Sequence, residues 1–267
     1  MKNLSRAPGA MRQARLPDAE LAYDDQGSGR LTIYAHGMLL CQETEERQGL
    51  LDWPPLPGRR LIRYDARGHG RSSGRPINND YAFDRLADDL LALLDHLKAE
   101  GPVDAVGASM GCATVLHAAV RAPHRFGRLV LLIPPRAWET RVDARRGYQA
   151  AADQIERDGR DAWVNSLRGL PLPPALADVT DFLADPDVAD TLLPAVLRGL
   201  AGSDLPDRTA LAVLSHPTLI IAWDKDSAHP LSTAREIAEL IPGAELRITR
   251  TPADRRTHGR QIASFLS

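Results

Sequence analysis

The five residues Gly107-Ala108-Ser109-Met110-Gly111 constrain the fold of this chain more than any other segment. They lie between an apolar run of strand type, residues 103–106, and a run rich in Ala, Leu and Val at helical spacing, residues 112–120. A strand that turns directly into a helix strains the backbone of the central residue, so its neighbours must be small. The pattern predicts a serine hydroxyl raised above a sheet at the N-terminus of a helix, where free N–H groups favour developing negative charge.

Apolar runs of strand length alternate with helical patterns on both sides of this turn, which predicts a mostly parallel sheet covered on both faces. Between the strands expected near residues 130 and 220, the chain shows helical segments punctuated by prolines and no convincing strand. Such an insertion above the carboxyl ends of the strands is well placed to form a lid. The expected division is a core at 12–134 and 215–267, a helical lid at 135–214 and a loose leader at 1–11.

Composition excludes several classes of protein. The 267 residues are 43% hydrophobic and 25% charged with a formal net charge of -2, which gives no electrostatic reason to bind nucleic acid or an anionic membrane. Residues 1–13 lack the apolar core of a secretory signal, no run is long enough to span a bilayer, and the two cysteines do not suggest a disulfide framework. We therefore expect a cytoplasmic protein that acts on a small molecule, with a homodimer allowed by the sequence.

Cofactor signals are also missing from the sequence. It contains no Cys-x-x-Cys, no His/Cys cluster of metal-binding spacing, no P-loop and no dinucleotide fingerprint. The expectation is a protein without a cofactor and without a metal.

Five motifs occur in an order that resembles the α/β-hydrolase fold family. They are an opening hairpin at 21–27, His36-Gly37-Met38, the turn at 65–72, the serine turn at 107–111, and the strand 217–221 that leads to Asp226. The resemblance extends over residues 12–266 and implies an α/β fold: a mostly parallel, doubly wound α/β-hydrolase sheet with a helical lid insertion.

The resemblance implies Ser109 as the nucleophile, followed along the chain by an acid and then a histidine. Asp226 and Pro230 match the family spacing G-x-x-D-x-x-x-P, although Trp223 stands where the family has Gly; Asp224 is the competing choice for the acid. The backbone N–H groups of Met38 and Met110 are expected to form the oxyanion hole.

The sequence leaves open which histidine completes the triad. In the family it follows the last strand, and the usual spacing from Asp226 ends near Asp254, where there is no histidine. His258 is the only histidine after that strand, and it is the expected base if the segment is rearranged; otherwise it is an exposed residue at a helix start and the triad is incomplete. His229 lies in a stretch that resembles a common non-catalytic family sequence, so a packing or solvent role is expected for it.

The resulting function is a serine hydrolase that cleaves a small carboxylic ester, thioester or lactone through an acyl-enzyme. The resemblance points to enol-lactonases, carbon–carbon bond hydrolases and haloperoxidase-like esterases. The alternative is a degenerate member without a working histidine, acting as a ligand-binding protein or a non-hydrolytic enzyme. A serine at the turn argues against epoxide hydrolases and haloalkane dehalogenases, which have Asp at that position.

Overall fold

The computed structural model describes residues 11–180, 182 and 185–267. Apart from Met11, the leader expected at 1–11 lies outside the described residues.

The described strands form one eight-stranded sheet in the order β1-β2-β4-β3-β5-β6-β7-β8. The strands are β1 (Arg12–Arg15), β2 (Glu20–Gly27), β3 (Arg30–Ala35), β4 (Arg59–Tyr64), β5 (Val103–Ala108), β6 (Phe126–Leu132), β7 (Thr218–Trp223) and β8 (Glu245–Thr249). Strand β2 pairs antiparallel with β1 and β4, and the other neighbouring pairs are parallel. The mostly parallel sheet expected from the sequence is confirmed, and the carboxyl ends of its parallel strands meet at one edge.

Helices connect the strands and cover the sheet. They are α1 (Gln42–Arg47), α2 (Phe83–His96), α3 (Met110–Arg121), α4 (Arg141–Asp158), α5 (Arg160–Leu167), α6 (Leu193–Ala201), α7 (Arg208–Ala212), α8 (Leu231–Leu240), α9 (Pro252–Arg255) and α10 (His258–Leu266). Within the described ranges, none of them is long and apolar enough to cross a membrane. Helices α4 to α7 lie between β6 and β7, and the division of the chain at 134 and 215 stays a prediction.

Side chains on the central strands alternate between two hydrophobic clusters, as a pleated strand buried on both faces requires. Ile33, Ala105 and Ile220 belong to the cluster that also contains the apolar residues of α2 and α3. Their neighbours Tyr34, Val106 and Ile221 belong to a second cluster, which includes Ile262 and Leu266 of α10. Each large aliphatic side chain buried in this way contributes about 1.5–3 kcal/mol. The two clusters fix the register of the strands and therefore the positions of the loops that follow them.

Candidate active site

Ser109 lies at a tight turn between β5 and α3, as the sequence predicts. Its φ is 49° and its ψ is −108°, in a region that residues other than glycine rarely occupy. The two glycines are required by close backbone approach: a Cβ on Gly107 would clash with the carbonyl of Gly111, and a Cβ on Gly111 would clash with the carbonyl of Ala35. The turn presents the Ser109 hydroxyl to a cavity at the carboxyl edge of the sheet.

A second loop at this edge, after β7, carries Asp226 and His229. Asp226 Oδ1 accepts hydrogen bonds from the backbone N–H groups of Ala228 (2.9 Å) and His229 (3.2 Å). These bonds close a tight turn that folds the His229 ring back onto Asp226, and His229 Nδ1 lies 2.8 Å from Asp226 Oδ2. Both side chains of this pair therefore come from one turn of the chain.

The two loops meet at the serine hydroxyl, where His229 Nε2 lies 2.8 Å from Ser109 Oγ. An ionised carboxylate only accepts hydrogen bonds, so the contact to Asp226 assigns the ring proton to His229 Nδ1. His229 Nε2 is then free to accept the proton of the Ser109 hydroxyl. The three side chains form a continuous hydrogen-bonded chain, and Asp226 rather than Asp224 provides its carboxylate.

The charge on Asp226 is favoured in this environment. Burial alone would raise the pKa of Asp226, but the hydrogen bonds from the His229 ring and from the N–H groups of Ala228 and His229 outweigh it and lower the pKa below its ordinary value. The carboxylate can therefore hold the ring tautomer and stabilise a positive charge that forms on it.

His258 is placed differently from the expectation. Its Nε2 lies 2.7 Å from Thr249 Oγ1, and the residue is only 2% exposed, so it is neither the partner of Ser109 nor an exposed residue at a helix start. The ring that bonds Ser109 belongs to His229, and the assignment of His258 to that position is corrected accordingly. Burial, and then the nearby Arg255, lower the pKa of His258 to about 4, so it is neutral at pH 7.

The segment after β8 explains why no histidine reaches Ser109 from there. Thr251 is the N-cap of the short helix α9 and Asp254 completes the capping box, its carboxylate accepting from the N–H groups of Arg250 and Thr251. The following Arg255 is buried and donates to the carbonyls of Ala175 and Gly49 and to the Asp178 carboxylate. The side chains of this segment therefore form hydrogen bonds between surrounding loops, and the segment does not supply a base to Ser109.

The loop 36–38 after β3 approaches Ser109 from the other side. His36 Nε2 accepts the N–H of Ala66 at 2.8 Å, so His36 Nδ1 carries the proton and donates to the carbonyl of Gly37 at 2.6 Å. That carbonyl shares a peptide plane with the N–H of Met38, and the two groups of a trans peptide point in opposite directions. The His36 bond therefore sets the direction of the Met38 N–H.

Met110, the other expected oxyanion donor, is the first residue of α3. Its N–H belongs to the first turn of the helix, where backbone N–H groups have no acceptor within the helix. The positive end of the helix dipole lies at the same place. The roles of Met38 and Met110 as oxyanion donors stay predictions.

The cavity above these groups has a volume of about 490 Å³, which suits a small organic molecule. Most of its wall is apolar and comes from the core and from the helices between β6 and β7; the large apolar side chains there include Leu50, Leu132, Ile133, Tyr148, Trp163, Leu167, Phe182 and Trp223. The basic side chain of the wall, Arg136, donates to the Ser227 carbonyl and to Asp143. Among the described residues, no group of three or more His, Cys, Asp or Glu is arranged to hold a metal ion.

Comparison with known proteins agrees with this architecture. A family model described as alpha/beta hydrolase fold matches residues 46–251. The non-heme chloroperoxidase CPO-A1 of Kitasatospora aureofaciens is 30% identical over 93% of this chain and 96% of its own length. The 3-oxoadipate enol-lactonase 2 of Acinetobacter baylyi is 26% identical over 70% of this chain and 69% of its own. The crystal structure of a hydrolase from Pseudomonas aeruginosa PA01 superimposes with a TM-score of 0.78 at 26% identity, over 97% of this chain and 99% of that one.

The chain therefore belongs to the α/β-hydrolase family. The family, the fold and the enzyme class expected from the sequence motifs are confirmed.

His229, for which the sequence analysis expects a packing or solvent role, is the histidine that the structure places at the Ser109 hydroxyl. The available signal was its spacing three residues after Asp226 and just before Pro230. Asp side chains commonly accept N–H groups two and three residues further on, so a tight turn at Asp226 brings the following histidine within reach.

Proposed function

We propose that this chain is a serine hydrolase that cleaves a small carboxylic ester, thioester or lactone through an acyl-enzyme. The observation that carries the proposal is the continuous hydrogen-bonded chain from Ser109 through His229 to Asp226. A free serine hydroxyl is a weak nucleophile and needs a base that is itself oriented. His229 and Asp226 are placed to supply the base and its orientation.

In the first half of the reaction, Ser109 Oγ attacks the substrate carbonyl carbon and His229 Nε2 takes the hydroxyl proton. The negative oxygen of the tetrahedral intermediate is held by the N–H groups of Met38 and Met110. Collapse of the intermediate breaks the bond to the leaving group, which receives the proton from His229. The acyl group stays on Ser109 as an ester.

In the second half, His229 removes a proton from water, and the resulting hydroxide attacks the acyl carbon. Collapse of the second intermediate releases the carboxylic acid and returns the proton to Ser109. Throughout both halves, Asp226 keeps the ring proton on Nδ1 and stabilises the imidazolium.

The lining of the cavity supports a neutral, apolar acyl group. Among the described residues the wall is mainly hydrocarbon, its carboxyl groups are those of Glu45 and Asp143, and its Arg136 is already bonded to Asp143 and Ser227. A substrate with a carboxylate on its acyl chain would compete with Asp143 for Arg136. Neutral esters are therefore the first substrates to test.

The direct test is hydrolysis of p-nitrophenyl acetate, butanoate and hexanoate, with intact-mass measurement after acid quench. We expect turnover, an adduct of acyl mass on Ser109, and a loss of at least about 10³-fold in kcat for Ser109→Ala. Absence of both turnover and adduct in the folded wild-type protein would contradict the proposal. It would favour the ligand-binding or non-hydrolytic alternative.

A second reaction at the same site is favoured by one observation. The relative that is 30% identical over 93% of this chain is named a chloroperoxidase. If hydrogen peroxide replaces water in the second half, its oxygen attacks the acyl carbon, the Ser109 ester bond breaks, and a peracid leaves. The peracid then oxidises halide and is reduced to the carboxylic acid. With acetic acid as the acyl donor, the first half forms the acetyl ester of Ser109 and releases water. Bromination of monochlorodimedone in acetate, bromide and peroxide, lost in Ser109→Ala, tests this reaction.

A further inference from the structure

The wall of the cavity contains a buried carboxyl group that the proposed mechanism does not use. Glu45 lies on α1, is 5% exposed and lines the same cavity as Ser109. Its Oε2 lies 2.5 Å from the Tyr34 hydroxyl, and its Oε1 accepts the backbone N–H of Gly37 at 3.0 Å. Burying a carboxylate costs free energy unless the group is protonated or its charge is balanced by hydrogen bonds. The burial of Glu45 in the cavity wall therefore needs a functional explanation.

Glu45 and Ser109 both lie close to Gly37. A Cβ built on Gly37 would be 3.5 Å from Glu45 Oε1 and 3.7 Å from Ser109 Cβ. Glu45 holds the N–H of Gly37 while His36 holds its carbonyl, so the residue is fixed from both sides. The Met38 N–H directly follows this doubly held residue.

We propose that Glu45 is a positioning residue of the active site, which fixes the loop 36–38 for oxyanion binding by holding the N–H of Gly37. The inference rests on the proposed function, because it assigns Glu45 a part in stabilising the oxyanion. The Tyr34 hydroxyl donates to Glu45 Oε2 and the Gly37 N–H donates to Oε1, so Glu45 is the acceptor in both contacts.

The surroundings move the ionisation of Glu45 into the neutral range. Burial, the largest cause, and the carboxylates of Asp187 and Asp65 together raise the pKa of Glu45 to about 7. The hydrogen bonds from Tyr34 and Gly37 act in the opposite direction. Charged or titratable groups face the Glu45–Tyr34 pair from four other places in the fold: Arg63 on β4, Asp65 after β4, Cys112 on α3 and Asp187 before α6.

The expected consequence is a decline of activity at alkaline pH. Ionised Glu45 would place a negative charge beside the site where the oxyanion develops, and like charges at this range in a poorly solvated site oppose each other. We expect kcat/KM of a neutral ester to fall about tenfold as the pH rises from 6.5 to 8.5.

Three variants distinguish the effect of the Glu45 charge from the effect of its hydrogen bonds. Glu45→Gln preserves the acceptor for Gly37 and a donor for Tyr34 but cannot ionise, so the alkaline decline should disappear. Glu45→Ala removes both bonds and should lower kcat about tenfold or more at every pH, most of which Glu45→Gln restores at pH 6.5. Glu43→Gln is the matched control, because Glu43 lies on the same helix, pairs with the exposed Arg71 and is absent from the cavity wall. Its pH profile should match that of the wild type.

A second readout follows the protonation of Glu45 without using turnover. The difference in urea midpoint between wild type and Glu45→Gln should change between pH 5.5 and 8.5, with the wild type losing stability as Glu45 ionises. A constant difference would overturn the pH dependence assigned to Glu45. A changing difference together with unaltered kinetics in both Glu45 variants would overturn the positioning role alone. A changing difference in a wild-type protein that hydrolyses no ester would overturn the proposed function, and the positioning role with it.

Discussion

Asp226 Oδ2 and His229 Nδ1 lie 2.8 Å apart within a single turn after β7. The carboxylate and the imidazole are therefore positioned by the same four residues, and the backbone N–H groups of that turn bond the other carboxylate oxygen. As a result, the orientation of the His229 ring depends on β7 and its loop and not on the segment between β8 and α10.

We expect Asp226→Asn to lower kcat for p-nitrophenyl butanoate by about 10³–10⁴-fold, because the amide can donate to His229 Nδ1 and stabilise the tautomer that cannot accept the serine proton. Asp224→Asn is the matched control: Asp224 lies two residues earlier, and its backbone N–H bonds Thr249. Equal losses in the two variants would show that Asp226 does not orient the base.

His36 offers a test of the oxyanion loop. Removing the ring in His36→Ala frees the Gly37 carbonyl and with it the direction of the Met38 N–H, so kcat should fall by about 10–10³-fold with a smaller change in KM. Affinity for a boronic acid that mimics the tetrahedral intermediate should fall in parallel. His69→Ala controls for the loss of a buried ring, since the His69 ring lies 5.4 Å from that of His36 and bonds the Arg67 carbonyl. The assignment fails if His69→Ala impairs kcat as much as His36→Ala.

Three buried histidines make stability sensitive to acid. Burial lowers the pKa values of His36, His69 and His258 to about 4. Below their ordinary pKa of about 6.5, the unfolded chain takes up these protons first, so each histidine should cost about 2 kcal/mol of unfolding free energy between pH 7.5 and 5. Glu45, whose pKa is raised to about 7, stabilises the folded state on acidification. Its contribution offsets the loss of unfolding free energy from about one histidine.

The net expectation is a loss of a few kcal/mol in the free energy of unfolding on acidification. Urea unfolding at pH 7.5 and 5.0 measures it directly, and His258→Gln should reduce the loss. Equal midpoints at the two pH values would show that these rings are not held neutral in the folded protein.

Trp223 stands where the family pattern has Gly, and its side chain forms part of the cavity wall. It packs against Ala175 and Leu176. Trp223→Leu should enlarge the cavity and shift the preference among p-nitrophenyl esters toward longer acyl chains. Trp138→Leu is the control, because the Trp138 ring lies under Arg208 and is not among the lining residues. An unchanged chain-length profile in Trp223→Leu, checked for folding by circular dichroism, would contradict this role.

Local sequence was sufficient for features that depend on local geometry. The strained turn at Ser109 could be predicted because Gly107 and Gly111 stand where other backbone atoms come too close for a Cβ. Asp226 could be predicted because it follows a buried strand at the expected spacing. The sheet could be predicted because its strands are apolar runs that alternate with helical patterns in the sequence.

Other features depend on contacts between distant segments. His258 was expected near Ser109 because it follows the last strand, but Arg255 bonds Gly49, Ala175 and Asp178 and thereby fixes a different path for the chain. Glu45 lies in a charged hexapeptide that is typical of a solvated helix, and only the fold brings it under Tyr34 and Gly37.

The proposed mechanism requires that His229, and not His258, activates Ser109. The most direct measurement is the rate at which a fluorophosphonate probe labels Ser109 in the wild type, His229→Gln and His258→Gln, each shown to be folded by circular dichroism. We expect labelling to slow by about 10²-fold or more in His229→Gln and to stay within about threefold of the wild type in His258→Gln. Rapid labelling of His229→Gln, or a loss confined to His258→Gln, would contradict the account.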